Sequence, residues 1–279
     1  MKKAMVFTLV LLCTLALISS TALAWDDLIY TNSGPGIGTP RVGRVSSAII
    51  YSSSSDMFDQ NGDKQDLADT GTELRIPIRA YYTITNNLRA FAIVPFVSQN
   101  KYLTPDGEDN SGIGDIWLGA KYAVMPEGVL SVRGALDIPT GDDEKGLGNA
   151  GGFGIDVAAL TRKTMGKFDI TGNVGVRYNA EDSDTKWQPG PGFYLRGFVD
   201  YDGIPARVNL AYLNYGDGKA DGTKMSDSTV NWLELSVITW HTITEGVTPW
   251  IGFGYILMGT NTPAELDIRV GVSYQIFGE

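Results

Sequence analysis

The sequence predicts an all-β protein, a transmembrane antiparallel up-and-down β-barrel of about twelve strands. Three observations carry that prediction. Apolar residues recur with a period of two in a series of stretches of about ten residues, the length a tilted strand needs to cross a bilayer. The connections between the stretches alternate between short turns and long polar loops. An export leader precedes them all.

The leader is Lys2 and Lys3, an apolar run from Ala4 to about Ile18, and the small-residue cleavage site Ala22-Leu23-Ala24 before Trp25. The run is too short for a spanning helix, which needs roughly 18 residues. Leu12 before Cys13 is too bulky for a lipoprotein cleavage site, so no lipid anchor is expected. The division expected is therefore 1–24 signal peptide, 25–39 irregular lead-in and 40–279 barrel. The whole chain holds 22 basic and 32 acidic side chains, so the mature chain, without Lys2 and Lys3, is more acidic still, which argues against a nucleic-acid partner. Its one cysteine lies in the leader. Disulfides, thiolate metal sites and cysteine nucleophiles are thereby excluded from the mature protein.

The lead-in contains Gly34-Pro35-Gly36-Ile37-Gly38-Thr39-Pro40 and shows no period; it either hangs below the fold or tucks into it. A weakly patterned strand follows from about Arg41 to Tyr51, then a loop of about twenty Ser- and Asp-rich residues. The second strand is cleaner. Leu74, Ile76, Ile78, Ala80, Tyr82 and Ile84 form one face, Glu73, Arg75, Arg79 and Thr83 the other, and Asn86-Asn87 turns the chain. The third, Leu88 to Val97, is apolar on both faces. The fourth sets Ile116, Leu118, Ala120 and Tyr122 against Asp115, Trp117, Gly119 and Lys121. Next comes the hairpin from Val129 to Leu160: Leu130, Val132, Gly134, Leu136 and Ile138 alternate with Ser131, Arg133, Ala135 and Asp137, a long loop intervenes, and Phe153, Ile155, Val157 and Ala159 resume. Phe168 to Tyr178, Phe193 to Tyr201, Val208 to Tyr212, Leu233 to Val237, Val247 to Leu257 and Leu266 to Ile276 complete the series. Long segments starting near Ser52, Gln99, Thr140, Asn179, Gly216 and Met258 are expected outside the cell, and the short turns in the periplasm.

Periodicity does not say which face points outward, so a secreted soluble barrel is the competing reading. Diameter decides against it. Side chains already just fill eight strands, and about twelve would enclose a dry void too wide to close. Gly119, Gly152, Gly154, Gly252 and Gly254 on the polar face suit a crowded interior. Trp240, Trp250, Tyr274 and Phe277, near the short turns, suit an aromatic girdle. The expected lumen residues are Glu73, Arg75, Arg79, Asp115, Lys121, Arg133, Asp137, Asp156, Asp169, Arg177, Arg196, Asp200, Arg207, Glu234, Asp267 and Arg269. Eight are basic and eight acidic. A charge-selective pore would show an excess of one sign, so this set points to ion-paired networks that fill the bore or narrow it to a constriction.

Three motifs suggest other chemistry. Gly146-Leu147-Gly148-Asn149-Ala150-Gly151 matches the dinucleotide fingerprint in letters, but a strand period follows it where the fingerprint needs a helix N-terminus. It reads as a mobile glycine-rich loop. Asp59-Gln60-Asn61-Gly62-Asp63 hints at a calcium loop, yet aligning Gly62 with the required glycine puts Met57 and Ala68 where acids belong. Solvated acidic loops, or weak divalent binding beside lipopolysaccharide phosphates, remain. His241, the one histidine, falls in a short turn after Trp240, which leaves an outer-membrane hydrolase the least favoured reading.

Gly112-Ile113-Gly114-Asp115-Ile116-Trp117-Leu118-Gly119-Ala120-Lys121-Tyr122, followed by Pro139-Thr140-Gly141-Asp142 and Lys145-Gly146-Leu147-Gly148, resembles the outer-membrane family named for the MetA-pathway of phenol degradation. Gly36-Ile37-Gly38-Thr39 is similar to it too. The resemblance implies a porin-like transporter for small aromatic or other hydrophobic solutes, loosely related to hydrocarbon-uptake channels. Many outer-membrane barrels end on an aromatic that their assembly machinery reads, whereas Gly278 and Glu279 follow Phe277 here. The expectation is a passive channel in a Gram-negative outer membrane, with no enzymatic activity and no cofactor or metal. Its partners would be outer-membrane lipid and lipopolysaccharide, the barrel-assembly machinery and a small solute. Loop residues Thr140, Gly141, Asp142, Lys145, Gly146 and Gly148 would gate the mouth. A structural or surface-interaction barrel with a plugged lumen and acidic loops is the alternative.

Overall fold

The computed structural model describes residues 35–104, 107–125, 129–148, 152–244 and 246–277. The predicted leader, and the lead-in as far as residue 34, lie outside the described residues. Twelve strands make the wall. They are β1 (Gly43–Phe58), β2 (Lys64–Thr85), β3 (Leu88–Gln99), a fourth broken into β4 (Asn110–Ile113) and β5 (Ile116–Ala123), β6 (Leu130–Ile138), β7 (Gly154–Met165), β8 (Phe168–Asn179), β10 (Gly192–Tyr201), β11 (Ile204–Tyr215), β14 (Val230–Trp240), β15 (Val247–Thr260) and β17 (Leu266–Phe277). Each pairs antiparallel with its sequence neighbours, and β1 also pairs with both β2 and β17, so Ile50 stands opposite Arg75 on one side and Arg269 on the other. The sheet therefore has no free edge, which is the condition for satisfying backbone groups in lipid. Short pieces β9 (Trp187–Gln188), β12 (Lys219–Ala220) and β13 (Thr223–Lys224) form a small sheet of their own above the wall, and β16 (Thr262–Pro263) pairs with β1.

Alternation decides the faces. In β10 the residues Phe193, Leu195, Val199 and Tyr201 are exposed, and Tyr194, Arg196 and Phe198 between them are buried. The same holds in β17, where Leu266, Ile268, Val270 and Val272 are exposed while Asp267 and Arg269 are buried. A wall apolar outside and charged inside is stable only where the outer solvent is hydrocarbon.

The predicted connections hold with three differences. The first is no loop: β1 and β2 continue as a protruding hairpin to a turn at Asp59–Asp63, which Asp59 closes by accepting the backbone N–H groups of Asn61 (2.8 Å) and Asp63 (3.0 Å). Those bonds, that of Asp63 first, hold the exposed Asp59 carboxyl below its ordinary pKa. The period was hidden because the β2 half of this extension stands in water on both faces, while the β1 half carries Asp56 opposite Asp66 and buries Phe58 alone among large side chains. The sixth connection, expected to be long from near Met258, is short, because β15 runs on to Thr260 and β16 leads at once into β17. Finally, the fourth strand breaks at Gly114-Asp115, where the Gly114 N–H donates to the Pro95 carbonyl at 2.9 Å.

The end of the lead-in tucks in. Pro35 and Ile37 are buried, Ser131 Oγ donates to the Pro35 carbonyl at 2.5 Å, and Thr83 Oγ1 donates to the Ile37 carbonyl at 3.1 Å. This places residues 35–38 inside the short-turn end of the barrel.

Candidate functional site

The site is the interior. Thirteen of the sixteen predicted interior charges are buried: Glu73, Arg75, Arg79, Asp115, Lys121, Arg133, Asp137, Asp156, Arg177, Arg196, Glu234, Asp267 and Arg269, of which the most accessible, Arg79, is 6% exposed. Asp169, Asp200 and Arg207 are half-buried at the short-turn end. A buried charge is tolerated only with a partner and filled hydrogen-bonding positions. The geometry supplies ion-pair and hydrogen-bond partners in separate groups. Glu73 takes Arg75 Nη2 at 2.6 Å and Gln99 Nε2 at 2.5 Å. Arg269 bridges Glu234 (3.0 Å) and Asp267, which also accepts Ser52 Oγ at 2.7 Å. Arg133 pairs with Asp156 at 3.0 Å, and the Tyr194 hydroxyl accepts from Arg133 and donates to Asp156 at 3.1 Å. Arg177 pairs with Asp137, donates to Asn179 Oδ1 (3.0 Å) and the Tyr215 hydroxyl (3.3 Å), and lies 4.1 Å from the centroid of Trp117. Arg196 donates to Asn209 at 2.7 Å. Lys121 has the cations Arg89 and Arg133 as its direct cross-strand neighbours.

Gly254 shows how tight this packing is. A Cβ there would stand 2.7 Å from Asp267 Oδ2, 2.8 Å from Glu234 Oε1 and 2.9 Å from Arg269 Nη2, all held by the ion pairs just described. Gly254→Ala is therefore expected to destabilise the barrel by about 1–3 kcal/mol through overpacking. The check is the temperature at which the compact, heat-modifiable band on a detergent gel is lost. A band as heat-resistant as wild type would show that the cluster has room.

Charge does not fill the whole interior. On the β7, β10, β11, β14 and β15 side, Leu160, Tyr194, Leu213, Tyr215, Val230, Trp232 and Ile256 form one apolar cluster with Phe58 and Trp187, and Ala220 and Met225 of the overlying loops pack against it. A smaller cluster, Phe91, Ile93, Trp117 and Ala135, sits on the β3, β5 and β6 side. The period-two reading missed the larger tract because it assigned apolar residues to the outer face alone. A signal was present: at the long-loop ends of β11 and β14, Tyr212-Leu213-Asn214-Tyr215 and Val230-Asn231-Trp232-Leu233 carry large apolar residues on both faces. Tyr194 and Tyr215 mark the border. Their rings lie in the apolar tract and their hydroxyls bond the Arg133 and Arg177 ion pairs.

The loop after β6 is anchored rather than free. Asp115, at the break in the fourth strand, accepts the N–H groups of Thr140 (3.0 Å) and Gly141 (2.8 Å), and Thr140 Oγ1 donates to the Gly114 carbonyl at 2.9 Å. Asp142 caps a single 3-10 turn, Asp143–Lys145, and pairs with Lys145 Nζ at 2.6 Å; Gly146 closes the turn with φ +70°. Leu147 is buried, and Gly148 packs on Gly141. Asp115→Ala removes both N–H acceptors at once, so protease cleavage within 139–148 should become at least about tenfold faster, a local opening cost lower by about 1.4 kcal/mol. Equal cleavage of both proteins would show the loop is held by something else.

Other candidates gather no site. His241 is exposed in the β14–β15 turn, tied through its backbone N–H to the Pro249 carbonyl at 3.1 Å. Strand β7, not a helix, follows the glycine-rich motif, whose residues 149–151 lie outside the described residues. No group of three or more potential metal ligands occurs among the described residues. Trp240, expected in a girdle, is half-buried beside a cavity of about 680 Å³ at the short-turn end.

A closed twelve-strand wall, apolar outside and charged within, defines the class: this is an outer-membrane β-barrel. The fold matches an outer-membrane channel from Pseudomonas putida F1 at TM-score 0.70 and 20% identity, over 86% of this chain and 97% of that one. It also matches the translocator domain of the autotransporter NalP from Neisseria meningitidis at TM-score 0.50 and 12% identity, over 85% and 89%. The chain belongs to the family described as "Putative MetA-pathway of phenol degradation", whose model matches residues 57–270. No curated protein matches it.

Proposed function

We propose that the protein is a passive channel for small hydrophobic or aromatic solutes, with the short turns in the periplasm and the long loops outside. The apolar tract from Trp187 and Met225 down to Leu160 and Tyr194 carries this reading, because parting its packed side chains would give a ring an apolar path beside the ion pairs Arg133–Asp156 and Arg177–Asp137. In this reading the sixteen interior charges line and narrow the bore, and the loop from Thr140 to Gly148 with Asp115 gates its mouth. The fold shared with a P. putida channel and the phenol-degradation description of the family point the same way. No reaction is assigned to the protein, which is not an enzyme. It is exported by a leader over 1–24, assembled by the barrel-assembly machinery, and surrounded by outer-membrane lipid and lipopolysaccharide.

The test is uptake of radiolabelled phenol and of a labelled hexose by intact Gram-negative cells with and without the protein, beside single-channel conductance in a planar bilayer. Faster phenol uptake with unchanged hexose uptake and little steady ion current is expected. Phenol uptake equal to that of the empty host would favour the plugged structural barrel, which the burial of the interior charges also accommodates.

A further inference from the structure

Below Tyr194, the inward positions of β10 are Arg196, Phe198 and Asp200, and they build a stack that no ion-pair or core argument requires. Phe198 is buried beside two guanidinium groups, with Arg207 Cζ 3.8 Å and Arg196 Cζ 5.3 Å from its ring centroid. Arg207 meets Asp200 through two parallel bonds, Nε to Oδ1 and Nη2 to Oδ2, both 2.7 Å. These bonds lie in the guanidinium plane and use its edge only, so both flat faces stay available to rings. Phe198 lies over the guanidinium at 3.8 Å, and the Trp240 ring is a second aromatic contact at 5.7 Å. Past Trp240 and Asp200 opens the cavity of about 680 Å³, whose wall also includes Tyr201, Ile204 and Pro205.

We propose that Arg207, held edge-on by Asp200 within reach of Phe198 and Trp240, is the exit site of the conduit and selects planar electron-rich rings. A neutral aromatic solute arriving along the apolar tract takes the face of Arg207 in place of Phe198, then moves toward Trp240 and into the cavity. A saturated ring of equal size lacks the quadrupole that attracts a cation and gains nothing at this step. The inference rests on the channel reading above and adds to it the place and the chemistry of selection.

The experiment compares uptake of radiolabelled phenol and cyclohexanol by intact cells carrying wild type, Arg207→Lys or Trp240→Leu. Lysine keeps the charge and a bond to Asp200 but has no flat face. Wild type should favour phenol, and in both variants the phenol-to-cyclohexanol ratio should fall about threefold, in the range of a partly exposed cation–π contact. Heat-modifiable migration verifies assembly, and should Arg207→Lys fail to assemble, Trp240→Leu carries the same expectation. An unchanged ratio in an assembled variant overturns the exit site and leaves the channel standing. Wild-type uptake no greater than the host's for either solute overturns the channel reading, and the exit site with it.

Discussion

Asp156→Ala is expected to cost about 3–5 kcal/mol, among the largest single-residue effects in the barrel. Arg133 and Asp156 are each 1% exposed, so removing the carboxylate strands a guanidinium that cannot recover its water, and the Tyr194 hydroxyl loses its acceptor in the same step. Urea unfolding in phospholipid vesicles, followed by tryptophan emission, measures the loss. The companion variant Arg133→Met with Asp156→Leu and Tyr194→Phe should regain most of it, because apolar groups of similar volume remove the desolvation penalty along with the pair. A loss below about 1 kcal/mol for Asp156→Ala would mean that the pair is solvated, as surface pairs are, and that water stands in the bore.

A reversible lock on the mouth should have the largest effect on transport. Trp187 of β9 and Ala220 of β12 both pack on the apolar tract, and the strands that carry them pair at Gln188 with Lys219. If solutes enter along this tract, the two loops have to part. Gln188→Cys with Lys219→Cys joins directly opposed residues of an antiparallel pair, whose spacing suits a disulfide, in a chain whose one other cysteine, Cys13, lies in the expected leader. Oxidation should slow phenol uptake at least about tenfold, equivalent to about 1.4 kcal/mol of added barrier, and dithiothreitol should restore it. Equal uptake before and after reduction would show that entry avoids these loops.

How much of this was legible in the sequence varies with the element. β17 was read almost residue by residue, since one face lies in lipid and the other against fixed charges, and both solvents impose the same period. The hairpin over Asp59 shows no period, because its β2 half has water on both faces and needs no alternation. The interior charges were found by type and face, yet their partners were not. Arg177 and Asp137 are forty residues apart, and Arg269 and Glu234 thirty-five; each pair reaches across one intervening strand, so strand register and curvature bring such residues together. Trp232, Leu213 and Tyr215 were missed for the opposite reason, since apolar residues on an inner face look the same in sequence as those bound for lipid.

By itself, then, the chain determined the strand number, the inside and outside of the cleanly alternating strands such as β2, β6 and β17, and a balanced set of inward charges. These are local consequences of a two-residue period in a two-solvent environment. Tertiary structure alone decided which charge meets which, where the interior turns apolar, that Asp115 holds the loop after β6, and that Phe198, Arg207 and Trp240 stack. Each of those depends on strand register and barrel curvature, which set distances between residues far apart in the chain and which no single strand's pattern contains.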